Sequence, residues 1–179
     1  EETFKANWKA FQAALEAAGA DVRINSTLRS RERAYMMHYS ALVANGKIKP
    51  WEVPDSVLIR SQLTHARVEW THTDSNGRVD EKARKQKGRE MMRVFDIAYP
   101  AALNSNHVHG KAVDVAIEWT GTLKIKDKKG KEHEIKTTPR HGGTSAEPSG
   151  NKELKTVAET YGVKKLLLKD PPHWSENGY

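Results

Sequence analysis

The chain has 179 residues and no cysteine. That excludes a disulfide framework and a thiolate zinc site, while leaving the redox compartment open. No apolar run approaches the roughly 20 residues that a membrane-spanning helix needs. The two basic runs, "EKARKQKGRE" (81–90) and "KIKDKKGKEHEIK" (124–136), hold no aromatic residue. They therefore lack the stacking platform of single-strand nucleic-acid binders, and both mix charge signs, as solvated faces do. No specific nucleic-acid partner is expected. There is no internal repeat. The start, "EETFKANW", has neither an initiator Met nor a signal-like run, and reads as a processed end or an excised domain.

What is present suits one soluble globular domain with its own core: 37% hydrophobic and 30% charged residues. The net charge of +7 favours anionic surroundings such as nucleic acid, cell-wall polymer or outer-membrane lipid. A monomer is expected.

Phe4, Trp8, Phe11 and Leu15 recur at helical spacing, predicting an amphipathic helix over 3–18. "DVRINSTL" has a strand core at Val22 and Ile24, and "SRERAYMMHYSALVANG" reads as a helix ending near Asn45 and Gly46. Helices are expected around 55–70 and 79–98, punctuated by Pro50, Pro54 and "DSNG". "KAVDVAIEW" alternates as a strand, and residues 122–136 read as a basic hairpin turning near Asp127–Gly130. "RHGGTSAEPSG" reads as a loop, 151–161 as a short helix and "KKLLL" as a buried strand. Helices first and antiparallel-looking strands later predict an α+β fold.

Within "SNHVHGKAVDV" (105–115), Asp114 falls between Val113 and Val115 on a strand whose branched face belongs to the core. A carboxylate there needs a basic side chain, a hydrogen-bond network or a metal ion. His107 lies just upstream of Gly110, where the chain can turn so that imidazole and carboxylate converge, a pairing that suits zinc. Taken alone, His-x6-Asp reads more often as a surface loop with a hydrogen-bonded strand aspartate. The closing "DPPHW" shifts that balance. His173 would complete a three-ligand set with a fourth position for water, and Asp170 would be the spare carboxylate for a general base. His109 forms a His-x-His pair with His107, which on a regular strand would face the same way, and competes with it as a ligand. Glu118 shares the face of Asp114 but lies too far along to ligate. His38, His65, His72, His133 and His141 lack paired acids and read as ordinary surface or half-buried histidines.

These stretches resemble a known family. "SNHVHGKAVDV" resembles the Ser-x-His-x6-Asp motif of the D-Ala-D-Ala carboxypeptidase and L-Ala-D-Glu endopeptidase family of zinc peptidases. "DPPHW" is similar to its closing Asp/Glu-x-x-His motif, and "INSTLRSRERA" to its Ser-x-x-Arg-Ser segment. The family includes phage endolysins, bacterial wall-remodelling enzymes and the vancomycin-resistance dipeptidases; the hedgehog signalling domain is a wider relative. The resemblance covers about a quarter of the chain, with the three motifs in order.

The resemblance implies a small antiparallel sheet carrying one zinc ion, flanked by helices, with His107, Asp114 and His173 as ligands. It implies that Asp170 is the catalytic acid/base and that Arg29 binds substrate and steadies the oxyanion. Ser105 would meet substrate, and because the motif match favours His107 as the ligand, His109 is expected to line the substrate cleft or to hold a ligand residue. The activity implied is hydrolysis of an amide in the peptidoglycan stem peptide by metal-activated water, at an L-Ala-D-Glu or a D,D bond. The place of action would be the bacterial periplasm or cell wall, reached by phage lysis or secretion-system delivery, with electrostatic attraction to the anionic envelope. The alternative is a non-catalytic, zinc-containing wall-binding module. Two regions depart from the family pattern: an insertion at about 47–100, expected to be helical, and the basic hairpin at about 122–136. Both flank the expected cleft in sequence and would reshape specificity.

Overall fold

The computed structural model describes residues 2–97, 100–136, 151–166 and 170–179. In chain order the elements are α1 (Glu2–Ala17), β1 (Asp21–Ser26), α2 (Arg31–Ala44), a 3-10 turn (Pro50–Glu52), β2 (Ser56–Ile59) and β3 (Gln62–His65). Then come α3 (Glu81–Val94), β4 (Ala112–Glu118), β5 (Thr122–Lys126), β6 (Glu132–Lys136), α4 (Lys152–Thr160) and β7 (His173–Ser175). Four helices and small antiparallel sheets among the described residues make the chain α+β. It divides into two compact units, one running to Leu28 and resuming at His109–Tyr179, the other Arg29–Val108.

In the first unit β4 is the central strand of an antiparallel sheet ordered β1-β4-β7. Its alternation works as the sequence predicts: Val113, Val115 and Ile117 are buried, while Asp114, Ala116 and Glu118 are half-buried. The buried face packs against Phe4, Trp8, Phe11 and Leu15 of α1, Leu154 and Val157 of α4, and the inward residues of the β5–β6 hairpin. Phe11 is fully buried, with the rings of Trp8, Tyr161 and Trp174 at centroid distances of 6.0, 5.7 and 5.9 Å. Ile24 departs from expectation. Lying on β1, which among the described residues is an edge strand flanked by β4, it stays 46% exposed.

In the second unit Tyr35, Tyr39 and Val43 of α2 form a core with Val53 and Ile59, and α3 packs on α2. The helices approach so closely at Gly88 that a Cβ there would stand 3.1 Å from the Ala44 backbone nitrogen. The helix expected over 55–70 is instead a β2–β3 hairpin, with Ser56 to Ile59 registered against His65 to Gln62. Its turn residues Arg60 and Ser61 both have positive φ, 53° and 58°. Such turns usually advertise themselves by Asn-Gly, so Arg-Ser carries no sequence signal. The Asn104 side-chain oxygen, accepting from the Arg60 amide at 2.9 Å, holds the turn. Residues 47–100 thus contribute a 3-10 turn, a hairpin and α3 to this unit.

The "KKLLL" strand is not formed as expected where it is described. Lys164 makes an isolated bridge to Ser175, and Leu166 is 49% exposed. Leu167 and Leu168, the loop 140–150 and His141 lie outside the described residues.

Candidate metal centre

Two adjacent strands position the centre's best-defined pair. β4 and β7 run antiparallel with Asp114 registered against His173, and the Val115 amide donates to the Pro172 carbonyl at 2.9 Å. Cross-strand partners project to the same side of a sheet, so imidazole and carboxylate meet. His173 Nδ1 stands 3.3 Å from Asp114 Oδ1, with His173 6% exposed and Asp114 half-buried.

His107 sits in a run of turns that ends at Gly110, whose φ of 66° is the left-handed conformation expected of that glycine. Its carbonyl accepts from the Arg29 amide at 3.1 Å, and its ring is 4% exposed. One ligand atom from each of His107, Asp114 and His173 lies within 4.8 Å of the others. Two imidazoles and one carboxylate are a donor set that zinc accepts, and ligands of a tetrahedral zinc stand about 3.4 Å apart. The 3.3 Å pair has that separation already. The donors fit one such ion.

The other residues singled out in the sequence have these places. Asp170 is half-buried, and its carbonyl accepts from the His173 amide at 3.1 Å, closing the turn across Pro171 and Pro172. Arg29 is half-buried immediately before Ser30, the N-cap of α2. The Ser105 hydroxyl is buried, without a hydrogen-bond partner among the described residues. His109 is half-buried and not in the ligand cluster. Glu118 is bound instead to Arg23 Nη2, at 2.7 Å. His38 meets the Ala101 carbonyl at 2.8 Å and His133 meets Asp127 at 3.1 Å, both structural contacts.

Sequence reasoning missed Lys165. It is 1% exposed, and its Nζ donates to the carbonyls of Asp170 and His173 at 2.8 and 2.7 Å. The ammonium also lies 5.4 Å from the Trp174 ring centroid. Burial pushes its pKa down to about 8, against the pull of the Asp170 and Asp114 charges, so it remains charged at neutral pH. Only the parity of the segment signals it: Val163 and Lys165 point inward, Lys164 and Leu166 outward.

A separate cavity of about 200 Å³, lined by Trp51, Arg84 and Lys85 among others, includes none of the predicted site residues. No family model, curated protein or solved structure matches the chain. No helix among the described residues is long and apolar enough to cross a membrane.

Proposed function

We propose that the chain is a zinc-dependent peptidase that hydrolyses an amide bond in the peptidoglycan stem peptide, with a fold of the hedgehog and D-Ala-D-Ala peptidase kind. The observation that carries this reading is the convergence of His107, Asp114 and His173, with Asp170 three residues before His173 on the turn that delivers it. When bound, zinc supplies a Lewis acid and lowers the pKa of a water toward about 7. His107 and His173 would hold it through imidazole nitrogens and Asp114 through a carboxylate oxygen, a ligand set of one negative charge against the ion's two positive ones.

Asp170 acts as the proton carrier. A carboxylate oxygen takes a proton from the attacking water and returns it to the leaving amine nitrogen as the amide C–N bond breaks. Arg29 offers a permanent planar cation to a substrate carboxylate or to the developing oxyanion. Ser105 and His109, which flank His107 in the chain, contact the stem peptide. The protein works as a monomer at the bacterial wall, reached through phage lysis or a secretion system. The lysines of the β5–β6 hairpin, with Lys124 and Lys126 exposed, draw it to the anionic envelope.

Digesting purified muropeptides with zinc-loaded protein and identifying new termini by mass spectrometry tests the reading. One new amine and one new carboxyl terminus within the stem support it and name the bond. Muropeptides bound but left intact would make the protein a zinc-containing wall-binding module instead.

A further inference from the structure

We infer that Lys165 is a positioning residue for the metal centre: its ammonium fixes the Asp170–His173 turn, and so sets the aim of both side chains. The inference rests on the metal reading of His107, Asp114 and His173. It starts from a deficit in the backbone. Pro171 and Pro172 have no N–H to donate, so the His173 amide alone closes this turn from within, onto the Asp170 carbonyl at 3.1 Å. The prolines fix two φ angles but add no bond, so further anchoring of the two ends has to come from donors outside the turn.

Lys165 supplies the missing donors. Its Nζ reaches the Asp170 carbonyl at 2.8 Å and the His173 carbonyl at 2.7 Å, bracketing the prolines from one point. The lysine backbone is itself anchored, because Lys164 and Ser175 exchange two bonds of 2.8 and 2.9 Å. The clamp therefore connects β7 to the turn preceding it. A charged amine is costly in a core position that methionine could fill, unless it is paired. Here it lies among two carbonyls and the charges of Asp114 and Asp170. Outer groups that orient metal ligands typically contribute 10–100-fold to metal affinity.

Cobalt(II) titration of the metal-free full chain, read by the visible bands of the bound ion, tests this in the wild type and in Lys165→Met. Tyr161→Phe, which loses the Tyr161 hydroxyl bond to the Lys126 carbonyl at 2.8 Å, is the control for a structural loss in the same unit. Lys165→Met should bind cobalt roughly 10–100-fold more weakly, with altered bands, and Tyr161→Phe should match the wild type. Wild-type affinity and bands in folded Lys165→Met would overturn the inference alone; no cobalt uptake by the wild type would overturn the metal reading with it. Should Lys165→Met not fold, reductive methylation of the wild type decides. Zinc at one hundred times its Kd should slow labelling of Lys165 by up to about 100-fold, since the amine reacts only when the turn opens, and leave exposed Lys164 unchanged. Equal labelling of Lys165 with and without zinc would contradict the clamp.

Discussion

His173 on β7 faces Asp114 on β4 across one register position, and their nearest side-chain atoms are 3.3 Å apart. Ligands presented by the paired backbones of two strands are fixed before any ion arrives, which reduces the ordering cost of binding. The purified chain should therefore hold about one zinc, removable by chelation and restored on readdition. A His107→Ala, His173→Ala double variant should lose it. Metal content by mass spectrometry checks this; unchanged zinc in the folded double variant would contradict the ligand assignment.

The core of the first unit depends on Phe11, which meets three aromatic rings and is fully buried. Phe11→Ala should cost about 3–5 kcal/mol in urea unfolding, through lost transfer energy and a cavity. Ile24→Ala, at a 46% exposed edge position, should cost about 0.5 kcal/mol or less.

Acid should loosen the basic hairpin through Asp127. Its carboxylate contacts His133 Nε2 and accepts from the Lys129 and Lys131 amides at 2.9 and 3.0 Å. The His133 bond foremost, then these amides, hold its pKa below the ordinary aspartate value. A depressed carboxyl pKa adds stability that is complete above the unfolded value and lost as pH falls through the native one. Thermal melts should show an acid loss, beginning near pH 4 and growing below it, that is smaller in Asp127→Asn. Identical acid slopes in the two proteins would contradict the role given to this turn.

The strand alternation of β4 and the helical spacing of Phe4, Trp8, Phe11 and Leu15 were legible in the sequence because burial on one face imposes a period. The candidate set of His107, Asp114 and His173 was legible in part because a charge between core valines demands a partner, and in part through the motif resemblance, which ranks His107 above His109. Two features were not. The β2–β3 hairpin turns at Arg60-Ser61, a pair that carries none of the usual turn chemistry, and Asn104, far along the chain, secures it. Lys165 was hidden inside an apparently apolar run. The buried residue is the lysine and the exposed one is Leu166, an inversion that goes with the two carbonyls, of Asp170 and His173, to which the Lys165 ammonium donates.

The central claim, a metal centre served by a separate proton carrier, is tested most directly by Asp170→Asn beside the wild type. Asparagine keeps the size and one acceptor oxygen but does not take a proton at neutral pH. Turnover of a soluble muropeptide, zinc content and muropeptide affinity would be measured together. The variant should keep its zinc and its affinity while turnover falls by roughly 10²–10⁴. Near-wild-type turnover in Asp170→Asn, or no turnover in either zinc-loaded protein, would contradict the account.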